Sequence, residues 1–372
     1  MVTFRKHKRA NKITVKILID NQVFENQKFG GISRYFNELQ RDNDSIQKME
    51  LFVNKIPKKK DLYQRLHSKL NRTLFNEKQT VPNKYDFYNS QIRDLQFDVF
   101  HPTYYDNYFL EKLTKPFVLT VHDMIHEKYA EYYGNSQDSF NKRKLCNAAA
   151  KIIAISNSTK NDLIDIFGIS EEKIEVVYHA TNFDSVLAIN PNHNFHGRRY
   201  LLYTGNRSNY KNFLTFLIGV SPILKNNKDL HLVCTGQDFT TIENRWLEEM
   251  EIKAKVISYF CQSDGELVHL YKNAACFVFP SLYEGFGFPL LEAFACDCPV
   301  VSSPGGSLKE IAGNAAVYFD PKDINEMRQS INNVLSNEVL RKDLVEAGKQ
   351  RLKNFSWDKC REETNLLYSK LV

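Results

Sequence analysis

The sequence lacks the features that mark several common classes of protein. It has no run of about 18 apolar residues, the length that a membrane-spanning helix requires. The basic start, MVTFRKHKRANK, is not followed by the apolar segment of a secretory signal, which predicts a cytoplasmic protein. The seven cysteines include no Cys-x-x-Cys pair, so we expect reduced, mostly buried thiols and neither a disulfide framework nor a zinc site. A Walker A motif is also missing, which argues against a P-loop NTPase.

Length and charge further limit the classes of protein to which the chain can belong. A chain of 372 residues fits two domains better than one, and 42% hydrophobic with 25% charged residues is typical of a soluble globular protein. The net charge is only +6, but basic residues concentrate in residues 5–12 and 55–72. Such clusters suit anionic lipid headgroups, a lipid-linked phosphate or nucleic acid.

A leucine recurs at every fourth residue from Leu62 to Leu74, within the basic segment 55–75. This spacing predicts an amphipathic helix. Two alternatives stay open for it. The helix packs against the core and exposes a basic face, or it lies on the inner face of the cytoplasmic membrane and makes peripheral contact with anionic lipid.

Apolar segments that suit β-strands alternate with amphipathic segments along most of the chain, starting with predicted strands over residues 13–20 and 50–55. Because hairpin signals are missing, the pattern predicts an α/β fold with parallel sheets and helices on both faces. The polar stretch 190–199 predicts a linker. We therefore expect an N-terminal domain, a C-terminal domain and a final helix, over residues 1–190, 197–355 and 356–372 respectively.

The most informative motif is EGFGFPLLE, residues 284–292, which follows a predicted strand. Gly285 and Gly287 remove side chains where backbone amides emerge, and a proline suits the first helical turn, so the motif predicts a helix N-terminus that favours an anion. Glu284 and Glu292 would repel phosphate alone but can accept hydrogen bonds from paired hydroxyl groups. A ligand that carries both hydroxyl pairs and phosphate is a nucleotide sugar.

This motif, between CFVFPS and ACDCPVVSS, resembles the donor site of the retaining glycosyltransferases of family 4. The resemblance implies the GT-B fold, in which two Rossmann-like domains place their parallel sheets across a cleft and the last helix crosses back to the N-terminal, acceptor-side domain. It implies that Glu284 lies beside the transferred sugar and that Glu292 holds the ribose. It further implies that Gly285, Phe286 and Gly287 contact the donor.

Two other glycine segments are candidate anion sites. Gly205 follows a predicted strand, and Arg207 and Lys211 lie near the start of the next helix, where positioned cations can stabilise a departing diphosphate. The family pattern Gly-x-Arg-x-x-x-Lys-Asn matches here. The pair Gly30-Gly31 opens a predicted helix after the first strand. Glycine pairs are common in turns, but the resemblance implies that this one faces the donor diphosphate.

Three polar residues follow predicted strands at their carboxyl ends, where open α/β sheets bind ligands: His101, His122 and Asp123. The resemblance implies that His122 contacts the donor sugar near the reacting carbon. Glu310, in a predicted first helical turn, either faces the nucleotide or serves the helix dipole.

The chain has a single Asp-x-Asp, Asp42 to Asp44, at a predicted helix end far from any predicted strand terminus. It therefore lacks the metal-holding motif of the other large glycosyltransferase fold. We expect no metal ion and no other cofactor, because Arg207 and Lys211 are able to replace a divalent cation at the diphosphate.

The resemblance implies that a hexose moves from a nucleotide diphosphate sugar to a saccharide or lipid-linked saccharide acceptor, with retention of configuration. The segments GGISRY, VHD and YKNF are most similar to mannosyltransferases of bacterial surface polysaccharide assembly, so GDP-mannose is the first donor to consider. We expect Lys211→Ala or Glu284→Ala to abolish transfer and to leave the melting temperature nearly unchanged.

Two alternatives remain for the function as a whole. One is a GT-B enzyme of another reaction, such as a nucleotide-sugar epimerase or a phosphorylase. The other is a non-enzymatic basic module that binds a membrane or nucleic acid. The presence of both glutamates and both cations favours an enzyme, and we expect no nucleic-acid partner.

Overall fold

The computed structural model describes residues 15–26, 30–52, 83–134, 136–191, 195 and 197–372. The two basic segments, including the predicted helix in residues 55–75, lie outside these ranges, as do His193 and His196 of the predicted linker. Within the described ranges, no helix combines the length and the apolar character needed to cross a membrane. All seven cysteines are described and free, and only Cys261 is not fully buried, which confirms the expectation of mostly buried thiols.

The elements alternate along the chain as expected. The β-strands are β1 Ile17–Ile19, β2 Ile46–Lys48, β3 Val99–His101, β4 Val118–Val121, β5 Lys151–Ala154, β6 Ile174–Val176, β7 Arg199–Thr204, β8 Leu230–Thr235, β9 Val256–Tyr259, β10 Cys276–Phe279, β11 Val300–Ser302 and β12 Ala316–Tyr318. The described α-helices are Gln22–Asn26, Gly31–Gln40, Lys84–Asp94, Ile125–Lys128, Ala130–Tyr133, Gln137–Ala148, Asn157–Phe167, Phe213–Asn226, Thr241–Glu249, Asp264–Asn273, Phe288–Ala295, Leu308–Ala312, Ile324–Ser336, Glu338–Leu352 and Trp357–Ser369.

The chain packs into two compact units, each assembled from separate segments. The first comprises Met1–Thr120, Phe140–Ile152 and Thr364–Val372, and the second comprises Val121–Ser139 and Ile153–Glu363. These segments do not follow the linker expected at residues 190–199, and the domain borders drawn from the sequence stay a prediction.

The first unit contains a parallel sheet in the order β2-β1-β3. The strand predicted over residues 13–20 is confirmed as β1. Of the strand predicted over residues 50–55, residues 50–52 form no strand, and the rest lies outside the described residues. The chain returns to the sheet earlier, at β2, because Asn43 Oδ1 accepts from Ser45 N at 3.2 Å and Ser45 O accepts from Ile17 N at 2.8 Å. This short turn places β2 directly beside β1.

The C-terminal residues Thr364–Val372 belong to the first unit, as expected for a last helix that returns to the N-terminal strands. His101 Nδ1 lies 2.6 Å from Tyr368 Oη, and His101 Nε2 lies 2.9 Å from Thr120 Oγ1. Tyr35 Oη lies 3.1 Å from the same threonine hydroxyl. His101 is fully buried at the end of β3, and both of its ring nitrogens serve the packing of this unit.

A second three-stranded sheet has the order β4-β5-β6. The helix Asn157–Phe167 follows β5 and is capped at both ends. Ser156 caps it by accepting from Thr159 N, and Gly168 ends it with φ 71°, a left-handed conformation that glycine adopts without strain.

The second unit is organised around a six-stranded sheet in the order β12-β11-β10-β7-β8-β9, and every neighbouring pair is parallel. This is the strand order of a dinucleotide-binding fold, in which the direction of winding reverses between two central strands. Here the reversal falls between β7 and β10. A ligand is expected at the carboxyl ends of these two strands.

Helices cover the sheet through close packing of apolar side chains. The helix Phe213–Asn226 packs against Ile324–Ser336 in the main core of the second unit. At Gly219 the two helices approach so closely that a Cβ atom would lie 3.0 Å from Met327 Sδ. This packing holds the start of helix Phe213–Asn226, and the loop before it, in a defined position at the carboxyl edge of the sheet.

Candidate functional site

Two loops meet at the reversal point of the six-stranded sheet. The loop after β7 runs from Gly205 to Asn212, and the loop after β10 runs from Pro280 to Gly287. Leu282 N donates to Tyr210 O at 2.7 Å, and Asn212 Nδ2 donates to Pro280 O at 3.2 Å. The two segments, which the sequence presents as separate motifs, are therefore joined by one backbone hydrogen bond and one from a side chain to the backbone.

Lys211 and Glu284 form an ion pair at this junction. Lys211 Nζ lies 2.7 Å from Glu284 Oε1, and the side chains are only 14% and 10% exposed. The ammonium also lies 5.0 Å from the centroid of the Tyr210 ring. The structure thus brings together one predicted cation and one predicted carboxylate, in a setting where charge is weakly screened.

The backbone of Glu284 is held by the segment after β11. Ser307 N and Ser307 Oγ donate to Glu284 O at 3.0 Å and 3.1 Å. Ser307 Oγ also lies 2.8 Å from Phe286 O. These bonds fix the direction of the Glu284 side chain, because the chain cannot rotate about it without losing them.

Gly285 is required by a close approach of two chain segments. A Cβ atom at this position would lie 2.0 Å from His122 O and 2.8 Å from Asp123 Cβ. The predicted His-Asp motif therefore contacts the predicted glycine turn directly. Gly287, with φ 97°, begins the helix Phe288–Ala295, as the sequence indicated. The roles of Gly285, Phe286 and Gly287 in donor binding stay predictions.

His122 lies in a buried aromatic cluster beside the glycine turn. Its ring centroid is 6.1 Å from that of His179, which stacks on Phe288 at 5.3 Å and lies 5.2 Å from Phe286. Burial, together with the neighbouring His122, lowers the pKa of His179 well below its usual range, so its imidazole is neutral. Sequence analysis missed His179, although its place just after β6 was the available signal.

Arg207 is not paired with Lys211 or Glu284. Its Nε donates to Glu243 Oε1 at 2.7 Å, and its side chain is only 5% exposed. Sequence analysis did not identify Glu243, because nothing in its local pattern distinguishes a glutamate in a first helical turn from an ordinary capping residue. The predicted diphosphate role of Arg207 stays a prediction.

Glu292 lies beneath the same turn, in the helix Phe288–Ala295, and its side chain is buried. It accepts from Tyr271 Oη at 3.2 Å, and Tyr271 Oη lies 3.2 Å from Thr204 Oγ1 at the end of β7. This chain of contacts connects Glu292 to the strand that precedes Gly205. A role for Glu292 at the ribose stays a prediction, as does the role of Gly205, whose φ is 102°.

The glycine pair Gly30-Gly31 belongs to the first unit. Gly30 has extended backbone angles and immediately precedes the helix Gly31–Gln40, as predicted. Ser33 Oγ donates to Gly30 O at 3.1 Å, which closes the first turn. The donor-binding role of Gly30 and Gly31 stays a prediction.

Glu310 has a structural role at another helix N-terminus. Its carboxylate accepts from Asn157 N at 2.8 Å, from Ser158 N at 3.0 Å and from Tyr178 Oη at 2.8 Å. A carboxylate at this position stabilises the first turn of helix Asn157–Phe167 through the helix dipole. The alternative that Glu310 serves a helix dipole is therefore supported, although the helix is not its own.

We expect Glu310→Gln to lower the free energy of unfolding by about 1 kcal/mol, because it removes the charged acceptor of two helix N–H groups. Urea denaturation measures this loss. The matched control is Glu171→Gln, which removes a carboxylate that is 72% exposed, and should leave stability unchanged. Equal stability of the two variants would contradict the capping role.

Among the described residues, no group of three or more His, Cys, Asp or Glu side chains is arranged to hold a metal ion. The expectation that no metal is needed remains a prediction. The site as described offers an ammonium and a carboxylate at the reversal point of the six-stranded sheet, and these groups can bind a ligand with phosphate and hydroxyl groups.

Two family models match successive parts of the chain. The model described as Glycosyltransferase Family 4 matches residues 30–185, and the model described as Glycosyl transferases group 1 matches residues 187–351. Together they span most of the sequence. The border between them lies close to the linker predicted from composition.

The chain is also similar to named proteins. It is 27% identical over 294 residues to O-antigen chain mannosyltransferase B of Escherichia coli, covering 75% of this chain and 76% of that protein. It is 28% identical over 183 residues to O-antigen chain mannosyltransferase RfbU of Salmonella typhimurium, covering 49% of this chain and 50% of the relative. The solved structure of Anabaena HepE in complex with UDP-glucose has a TM-score of 0.73 at 14% identity, covering 96% and 100% of the two chains.

Proposed function

Because the chain belongs to the glycosyltransferases that join a family 4 domain to a group 1 domain, and has the GT-B fold, we propose that it transfers a hexose from a nucleotide diphosphate sugar to a saccharide acceptor with retention of configuration. The observation that carries this proposal is the ion pair between Lys211 and Glu284 at the reversal point of the sheet. Dinucleotide-type folds bind their ligands at this point.

Lys211 supplies positive charge where the leaving group develops negative charge. Its ammonium has three N–H donors, and one of them serves Glu284 at 2.7 Å. The remaining donors suit oxygens of the departing diphosphate. When the glycosidic C–O bond breaks, its electron pair goes to a phosphate oxygen, and a nearby cation lowers the energy of that charge.

Glu284 accepts hydrogen bonds from the transferred sugar and orients it. The acceptor hydroxyl then attacks from the face that the diphosphate leaves, and its proton passes to the departing phosphate oxygen. This route needs no protein nucleophile and no metal ion. His122, whose backbone contacts Gly285, shapes the same face of the site.

Mannose is the first sugar to consider, and GDP-mannose the first donor. Support comes from the Escherichia coli and Salmonella typhimurium relatives, both named O-antigen chain mannosyltransferases. By extension, we propose a lipid-linked saccharide as acceptor, a role in cell-surface polysaccharide synthesis, and a place at the inner face of the cytoplasmic membrane.

A thermal-shift panel of GDP-, UDP-, dTDP- and ADP-sugars tests donor choice. We expect GDP-mannose to give the largest rise in melting temperature, because a ligand that binds only the folded state at 100 times its Kd stabilises it by about 2.7 kcal/mol. A larger rise with another sugar nucleotide would replace mannose in the proposal.

Product analysis tests the reaction itself. Incubation with the preferred donor and an acceptor saccharide should yield a glycoside whose anomeric configuration, measured by NMR, equals that of the donor. Release of free sugar phosphate would indicate a phosphorylase, and an altered nucleotide sugar would indicate an epimerase. Failure of every donor to bind would count against any sugar-transfer function.

A further inference from the structure

Arg207 is held by an unusually complete set of contacts for a loop residue. Its Nε donates to Glu243 Oε1 at 2.7 Å. Its Nη2 donates to Gln237 O at 2.7 Å and to Asp238 O at 2.9 Å. The guanidinium also lies 4.7 Å from the ring centroid of Phe239, a cation–π contact. The side chain therefore has a single well-defined orientation.

Glu243 is itself fixed by the start of the helix Thr241–Glu249. Thr240 N donates to Glu243 Oε2 at 2.7 Å, and Thr240 Oγ1 accepts from Glu243 N at 3.2 Å, which together form a capping box. Burial raises the pKa of Glu243, but hydrogen bonds from Arg207 and Thr240 outweigh it, so the pKa lies below its usual value. The carboxylate is a charged, rigid anchor.

One nitrogen of the Arg207 guanidinium has no hydrogen-bond partner among the described residues. Arg207 Nη1 is buried, and no group of the described residues accepts a hydrogen bond from it. A buried donor without an acceptor is energetically costly, so this atom calls for a partner, and an oxygen of a bound ligand can supply one. The neighbouring positions are glycines: a Cβ atom at Gly236 would lie 3.8 Å from Nη1, and a Cβ atom at Gly205 would meet nothing within 4 Å.

We propose that Glu243 is a positioning residue for the leaving diphosphate. Its carboxylate accepts a hydrogen bond from Nε of Arg207 and so fixes the orientation of the guanidinium. In this orientation, Nη1 of Arg207 donates to a phosphate oxygen beside Gly205 and Gly236. This inference rests on the proposed function, because it assumes that a nucleotide diphosphate occupies the site. According to this inference, Glu243 determines the selectivity for diphosphate over monophosphate without contacting either ligand.

The test compares the affinities of GDP and GMP, and of UDP and UMP, by isothermal titration calorimetry of the full chain. For the wild type, we expect the diphosphate to bind more tightly. For Glu243→Gln, which keeps the shape of the side chain but loses its charge, we expect the diphosphate preference to fall about tenfold, the worth of one charge-assisted hydrogen bond.

Two further variants separate positioning from stability. Thr240→Ala removes the hydroxyl of the capping box but no contact of Arg207, so it should weaken the helix without changing the diphosphate preference. In an Arg207→Lys background, Glu243→Gln should cause no additional fall, because Glu243 acts only through the arginine.

The outcomes are distinguishable. A wild type without diphosphate preference would overturn the proposed function together with this inference. A wild-type preference that Glu243→Gln leaves intact, or an equal fall in Thr240→Ala, would overturn the positioning role alone. If Glu243→Gln does not fold, Glu243→Asp takes its place. It shortens the side chain and so withdraws the carboxylate from Arg207 Nε. The preference should fall, and an unchanged preference in this variant would overturn the inference.

Discussion

Glu284→Gln is expected to lower kcat for sugar transfer by about 100- to 1,000-fold, the loss that follows removal of one preorganised electrostatic contact in an active site. The substitution keeps the size of the side chain but removes the charge that holds Lys211 and one acceptor for sugar hydroxyls. Steady-state kinetics with the preferred donor measures the change. Lys211→Gln should act in the same direction, since it removes the cation from the leaving group.

The matched control uses another lysine–glutamate pair of the second unit. Lys225 Nζ lies 2.8 Å from Glu251 Oε2, but the side chains are 42% and 80% exposed. Lys225→Gln should leave transfer unchanged, because an exposed pair is screened by water and lies on the helix end remote from Lys211. Transfer at the wild-type rate by Glu284→Gln would refute the assignment of the site.

The structure changes one expectation drawn from the sequence about these variants. The sequence alone suggested that Lys211→Ala or Glu284→Ala would leave the melting temperature nearly unchanged. Since the two side chains are each other's buried partner, removal of either leaves an uncompensated charge, which costs about 3–5 kcal/mol in fully buried pairs. The double variant Lys211→Gln with Glu284→Gln should therefore regain stability but not activity, which separates folding from catalysis.

Gly285→Ala is expected to lower the free energy of unfolding by about 3 kcal/mol and to impair transfer. The added Cβ atom would lie 2.0 Å from His122 O, so one of two backbone segments must move. Such a shift displaces Glu284, the preceding residue in the chain, from Lys211. Chemical denaturation and steady-state kinetics measure the two effects.

Gly168→Ala is the control for this variant. Gly168 has φ +71°, and a Cβ atom there would meet nothing within 4 Å. Alanine should therefore lower the free energy of unfolding by about 1 kcal/mol, through backbone strain alone, and leave transfer intact. Equal losses at both positions would show that the approach of His122 to Gly285 is not a steric requirement.

Local sequence patterns predicted the strands that precede the two loops of the candidate site. These strands are β7, before Gly205, and β10, before Glu284. Each is an apolar run followed by a glycine turn, and both signals are local in the sequence. The pattern of apolar residues was a weaker guide to the strands of the first unit. At β2 the burial is partial, and the strand position depends on a turn that the apolar pattern does not reveal.

The sequence did not predict which charged side chains form ion pairs with each other. Arg207 and Lys211 are separated by four positions and appeared to serve one ligand, yet the structure pairs the first with Glu243 and the second with Glu284. His101 and His122 both follow strands, yet His101 is bonded within the core of the first unit. Spacing along the chain cannot distinguish these cases.

The sequence by itself determined that this chain is a two-part α/β protein with glycine turns, carboxylates and cations at strand ends, because those features depend on residues that are near neighbours along the chain. Only the tertiary structure decided which carboxylate meets which cation, why Gly285 must be glycine, and that Arg207 Nη1 has no hydrogen-bond partner among the residues that the structure describes. Ion pairs and close backbone approaches join residues that are tens to more than a hundred positions apart, and their geometry is set by the packing of whole strands and helices.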